Sequence, residues 1–461
     1  MRTPVNLILF ALLAYILLQL LIAWRFRRKT VSESDYLLAG RSLGPWMATF
    51  AVFATWFGAE TCIGAAGEAY AHGLSGVVAD PFGYTLGLLA VGLLFAVSLW
   101  KRGVTTLADL FRQRYGLGVE RLAAIIMIPS SLLWAAAQVR AFGQVLASVS
   151  ELGLLLAMTL AAAVVIAYTA FGGMWSDAVT DLVQGLVLIA GLLGLGAVFL
   201  WQGGAEQLAA LPAERLDPLH ERSGWDFAET LLTPVFSTIA AQELASRVLA
   251  TRSPGLARGA TLGAAGLYFL MACIPLALGL GALGLMGAGL EPEQVLSRYA
   301  QSQLPLPLYV LFLGALVSAI LSTLSGALLV AGSLAAHNVL LPLRPRWGER
   351  DKLRANRIAV VLFGFVAYGI ALASDSVYGL VEEAAGLGSA GIFVLLLASL
   401  WRRDAGSRSA AYAALLSGTG VFLLGSHVFD WETPYLAALL AAALSYALPA
   451  GWAGTRPRAA A

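Results

Sequence analysis

The sequence predicts an all-α polytopic membrane protein, and three observations predict it. Of 461 residues, 59% are apolar and only 12% are charged, about half the roughly 25% charge of a soluble domain. The apolar residues form about thirteen runs, each near the roughly 20 residues a helix needs to cross a bilayer. The 49 glycines lie inside those runs without a triplet period, as they do where transmembrane helices touch closely. An ordinary soluble enzyme is excluded on composition. The two cysteines, Cys62 and Cys273, sit in apolar segments and supply neither a disulfide framework nor a zinc site.

The runs centre near positions 15, 58, 88, 134, 163, 190, 240, 272, 320, 365, 389, 418 and 442. The first, Leu7 to Trp24, has only Arg2 before it and Arg25, Phe26, Arg27 and Arg28 after it, with no small-residue cleavage site, so it reads as a retained helix. Basic residues fix the orientation, because short loops rich in Arg and Lys stay in the cytoplasm. With the N-terminus outside, most of the 29 Lys and Arg residues fall inside, in the clusters around Arg25–Arg41, Lys101–Arg121, Arg247–Arg258, Arg344–Arg357, Arg402–Arg408 and Arg456–Arg458. The outer loops keep most loop acids, among them Glu206, Asp217, Asp226 and Glu291. This predicts a multi-pass protein of the cell (inner) membrane with a cytoplasmic C-terminus and no appended catalytic or signalling domain.

Ionisable groups at membrane depth cost several kcal/mol and mark function by default. They are Glu60, Glu68, Asp80, Arg140, Asp181, Glu243, Glu382 and Glu383. Glu68, Asp80 and the Glu382/Glu383 pair read as hydrated helix ends, whereas Glu60 and Asp181 lie deeper or beside polar partners. The segment Ala54-Thr55-Trp56-Phe57-Gly58-Ala59-Glu60-Thr61 interrupts an apolar helix near mid-membrane, where transporters free backbone carbonyls to hold a cation. Leu231 to Ala241, with Pro234, Ser237 and Thr238, is a second weak point five spans further on, as an inverted repeat requires. Ser322 and Thr323 share a helix face with the carbonyl of Ala319. Their oxygens suit a hard cation or, equally, bond their own i−4 carbonyls.

At these residues the sequence resembles the solute:sodium symporter family over nearly its whole length. Asp35-Tyr36-Leu37-Leu38-Ala39-Gly40-Arg41-Ser42-Leu43-Gly44 is similar to the signature before the first core helix. Tyr168-Thr169-Ala170-Phe171-Gly172-Gly173 with Thr180-Asp181-Leu182-Val183-Gln184 resembles the most specific internal motif. Ser318-Ala319-Ile320-Leu321-Ser322-Thr323 resembles the sodium motif, with Thr for its final Ser. The resemblance implies a LeuT-like fold: a leading helix at 5–24, a first repeat over 45–202, an inverted second repeat over 228–400, and two trailing helices over 408–451. It implies Na⁺, one or two ions, held by the carbonyls of Ala54, Phe57 and Ala319 and the hydroxyls of Ser322 and Thr323, with Asp181 beside that hydroxyl pair for a second ion.

Within the family the high-affinity choline transporter branch is the most similar, through Ala54-Thr55-Trp56, Asp80-Pro81-Phe82-Gly83-Tyr84, Trp134-Ala135-Ala136-Ala137 and Val377-Tyr378-Gly379-Leu380. The branch implies an aromatic cage for an organic cation, with Trp56, Tyr84 and Trp134 as walls and each desolvated ring contributing on the order of 2 kcal/mol. Two departures stand out: Ala241, beside Gln242, takes the place of a fourth indole, which predicts a larger pocket, and Glu60 replaces part of a glycine-rich stretch. The expected substrate-binding set is Trp56, Glu60, Tyr84, Trp134, Ala241 and Gln242. The expected function is sodium-coupled import of a small polar organic solute, choline-like or another amine. A solute sensor or a uniporter without sodium coupling is the alternative. An enzyme is not expected, because no Ser/His or paired-Asp constellation is visible and His72, His220, His337 and His427 lie at span ends or in loops. The expected partners are the solute, sodium ion and the lipid bilayer, with no nucleic acid; no oligomeric state is predicted.

Overall fold

The structure is a computed structural model that describes residues 5–150, 152–401 and 407–453. Arg2, Arg402, Arg403, Arg456 and Arg458, used above for orientation, lie outside the described residues. The helices follow in chain order: α1 (Val5–Phe26), α2 (Glu33–Leu38), α3 (Pro45–Trp56), α4 (Ala65–His72), α5 (Tyr84–Ala90), α6 (Ala96–Trp100), α7 (Leu107–Tyr115), α8 (Leu117–Ser148), α9 (Leu154–Trp201) and α10 (Gly204–Ala209). The second half holds α11 (Gly224–Ala240), α12 (Gln242–Leu249), α13 (Pro254–Met286), α14 (Val295–Gln303), α15 (Leu306–Ser333), α16 (Glu349–Ala373), α17 (Val377–Gly386), α18 (Ser389–Trp401), α19 (Arg408–His427) and α20 (Pro434–Ala453). Among the described residues eight helices are long and apolar enough to cross a membrane, nine if the bent pair α17 and α18 is one span. The remaining expected centres fall on shorter or interrupted helices, so length and apolarity alone do not establish thirteen spans.

Local chemistry explains where the helices start and stop. Thr106 accepts from the amide of Asp109 in a capping box at α7, and Ser253 caps α13 with Pro254 following it. The long α9 turns at Gly173, whose φ of 64° is open to glycine. A Cβ there would lie 2.7 Å from the ring of Tyr36, so α2 packs into the corner that Gly173 makes.

Two helices break where the sequence weakens. Between α3 and α4, Phe57 leaves helical geometry (φ −88°, ψ 84°) and a wider turn spans Glu60–Gly64. Between α11 and α12 the chain becomes extended at Ala241 (φ −73°, ψ 126°), at the far end of the predicted weak segment. Helix α15 is buried along most of its length at the centre of the molecule, with Phe312 to Ser333 all inside. Tyr15 of α1 hydrogen-bonds Ser318 at 2.5 Å, fixing the leading helix against it.

Candidate ion and solute sites

The first break and α15 meet at one point. Phe57 closes the last bond of α3, donating to Phe53 O at 2.9 Å. The carbonyl of Ala54 is met instead by two hydroxyls, Ser322 Oγ at 2.8 Å and Thr323 Oγ1 at 3.3 Å. Ser322 Oγ also lies 3.0 Å from Ala319 O and 2.9 Å from Ser318 O. The carbonyls of Ser318 and Ala319 lie within the regular helix α15, whereas that of Ala54 sits in the last turn of α3, at the break, with the two hydroxyls as its partners. A cation there would meet neutral hydroxyl and carbonyl oxygens, the donors a hard cation takes. The structure therefore brings Ala54, Ala319, Ser322 and Thr323 together as expected, with Phe57 at the break beside them.

Asp181 stands apart from this hydrogen-bonded group. It is fully buried, and neither carboxylate oxygen has a hydrogen-bond partner among the described residues. No hydrogen bond joins it to Ser322 or Thr323; its near neighbour is Arg247 Nη2, 3.9 Å away. Arg247, only 1% exposed, is engaged by Asp177, by Thr55 Oγ1 at 3.0 Å and by Met174 Sδ at 2.8 Å. Asp177 also accepts from Ser325. Sequence reasoning missed Asp177 and Arg247, which are 70 residues apart and become partners only through folding.

The aromatic residues gather around the two breaks. Trp56 and Trp134 meet edge to face with centroids 5.2 Å apart. Trp134 Nε1 donates to Glu60 Oε1 at 3.3 Å, and Gln138 Nε2 donates to Glu60 Oε2 at 2.7 Å. The other end of Gln138 accepts the amide of Ala59 at 3.0 Å, satisfying an amide that the break frees. Gln138 was absent from the sequence-based site although its side chain fixes Glu60. Asp80 is not a hydrated helix end: it is buried and accepts from Thr61 at 2.8 Å and Tyr268 at 2.7 Å. Glu382 and Glu383 do lie toward solvent, exposed and half-buried respectively.

Trp56, Tyr84, Trp134, Ala241 and Gln242 all line one inner chamber, together with Ser131, Thr238 and Glu243. The chamber is narrow, about 40 Å³, with the two indoles in contact on one side of it. Gln242 Oε1 accepts the amide of Leu107 at 2.7 Å, tying the second break to α7. Tyr84, Val381 and Ala385 are shared with an outer cavity of about 450 Å³ that includes Glu60, Asp80, Glu382, Glu383 and the exposed segment Asp430–Glu432. Eight carboxylates line that cavity, with His427 as its basic residue.

This architecture matches solved transporters. The substrate-bound, outward-open structure of a Na⁺-coupled sialic acid symporter aligns with a TM-score of 0.86 at 17% identity, covering 97% of both chains. A nucleobase-cation-symport-1 family transporter in a closed conformation aligns at 0.63 and 16% identity over 93% of this chain and 97% of that one. In sequence, the high-affinity choline transporter 1 of Drosophila melanogaster is 29% identical over 86% of this chain, which spans 66% of the fly protein's length. The human protein of that name is 27% identical over 93% of this chain and 78% of its own, and the osmoregulated proline transporter of Bacillus subtilis is 26% identical over 90% and 88%. The model of the sodium:solute symporter family matches residues 36–418. With its LeuT-like fold and a family model that matches most of its length, the chain belongs to the sodium:solute symporter family.

Proposed function

We propose that this protein imports a small organic amine by coupling it to the entry of sodium. The observation that carries the reading is the convergence of Ser322 and Thr323 on the Ala54 carbonyl, at the same helix break that presents Trp56 to the inner chamber and Glu60 to the outer cavity. Sodium held there ties α15 to the broken α3, and the solute then meets a break already held in place. The carboxylate-lined outer cavity concentrates cations ahead of the aromatic chamber. Relatives are named for choline and proline, and a structural neighbour for sialic acid, all small polar organic solutes.

Asp181 is the place for a second ion, since its two oxygens are buried without hydrogen-bond partners among the described residues, and Arg247, 3.9 Å from it, is held more closely by Asp177. One sodium ion entering down a tenfold gradient and about 100 mV releases about 3.7 kcal/mol, enough to concentrate a neutral solute on the order of 500-fold. A second ion would double the free energy, and a cationic solute gains about 2.3 kcal/mol more from the potential.

The test is a thermal-stability panel of amines, amino acids, sugars and carboxylates on the purified protein, in sodium and in potassium. A ligand that binds the native state raises stability with its concentration. Stabilisation by an amine that requires sodium supports the reading. Stabilisation indifferent to sodium contradicts the coupling and favours a uniporter or sensor.

A further inference from the structure

We propose that Glu243 is the anchor for the charged end of the solute, and that the site selects compact ammonium groups that still carry N–H, as in amino alcohols, over quaternary ammonium. This rests on the reading of the protein as a transporter of organic amines and goes on to name the class. Glu243 lines the inner chamber, is 6% exposed, and takes one neutral side-chain hydrogen bond, from Ser131 Oγ at 2.5 Å. Arg247 stands one turn further along α12, but its guanidinium is turned to Asp177. Among the described residues, Glu243 has no ion pair. A buried carboxylate in that position is costly unless a cation completes it, and the chamber is where one arrives.

The walls favour N–H. A quaternary ammonium has no hydrogen to donate and depends on open ring faces. Here the two indoles meet edge to face, so one covers part of the other's face, and Ala240 and Ala241 add no ring to the chamber wall. An N–H ammonium instead forms charge-assisted hydrogen bonds to a carboxylate. Size points the same way: a water needs about 10–15 Å³ by this measure, so about 40 Å³ admits an ammonium head but no trimethylammonium unless the indoles part. Two further groups await a partner. Trp56 Nε1 and Thr238 Oγ1 are buried with none among the described residues, and both residues line the chamber. An oxygen a few bonds from the nitrogen would meet them, which is what an amino alcohol carries.

The test uses ethanolamine, its N-methyl and N,N-dimethyl derivatives, and choline, four probes that differ by loss of N–H. Sodium-dependent thermal stabilisation of the full-length protein in lipid nanodiscs is titrated with each. The expected order falls with methylation, with ethanolamine at least about tenfold tighter than choline. Glu243→Gln should flatten that order while the shift given by sodium alone persists, and Glu243→Asp should keep the order with weaker binding. Choline binding as tightly as ethanolamine, or an unchanged order in Glu243→Gln, overturns the role of Glu243 while leaving amine transport standing. If sodium alone stabilises the protein and no member of the series adds to it, the amine reading fails and this proposal fails with it.

Discussion

Ser322 shows how much one hydroxyl decides. It lies within 3.0 Å of the carbonyls of Ala54, Ser318 and Ala319, and its removal takes an oxygen from the proposed ion site while leaving the apolar packing of α15 untouched. Ser322→Ala should therefore abolish the thermal shift produced by sodium with a change in baseline stability of about 1 kcal/mol or less; an undiminished sodium shift would place the ion elsewhere. Glu60 is assigned to the solute in the proposed function. Held by Trp134 and Gln138, it loses its charge in Glu60→Gln, which should weaken amine binding about 10- to 100-fold and sodium binding little, as titration of each ligand separately would show. Equal loss of both would assign Glu60 to the ion site. The convergence of Ser322 and Thr323 on the first break was legible because a short motif placed hydroxyls and carbonyls on one face, and α3 announced its break through Gly58 and Glu60. Arg247, Asp177 and the exact partner of Gln242 were not, because each bond spans 70 or more residues and no local pattern encodes it.

At the scale of elements, the molecule depends on close helix contacts where side chains are absent. Helix α13 lies so near α4 that a Cβ on Gly279 would fall 2.2 Å from the carbonyl of Ala66. Backbone does not yield as a flexible side chain does, so Gly279→Ala should lower stability by about 1–3 kcal/mol, read as a fall in melting temperature in detergent. An unchanged melting temperature would mean that α4 moves freely against α13. The second break is secured differently: Gln242 reaches Leu107 at the start of α7, while Asp109 of α7 is bound by His337 and Asn338 from the far end of the α15 segment. Composition and punctuation predicted helices at these places, and Pro234 within α11 drew attention to the right stretch; the break itself falls at Ala241, because Thr238 and Ser237 stay helical and α12 starts afresh with Gln242. The count of spans was less legible: the runs expected near 163 and 190 are two helices that meet at the corner of Gly173, but the first of them, Leu154–Ala170, is one of the shorter apolar helices.

Across the whole molecule, the proposed function links sodium, solute and gradient through two broken helices and the buried α15 between them. The carboxylates of the outer cavity and the chamber give the path a negative character that the small net charge of +2 conceals. Symport follows only if occupancy of the oxygen site and of the chamber are coupled, and such coupling is reciprocal: a solute that binds better in sodium must make sodium bind better in return. The most direct measurement is entry of radiolabelled sodium into proteoliposomes, with and without ethanolamine outside, for the native protein and for Ser322→Ala. The account predicts that ethanolamine stimulates sodium entry in the native protein and that Ser322→Ala abolishes the stimulation; sodium entry indifferent to the amine in the native protein, or stimulation that survives in Ser322→Ala, would contradict it.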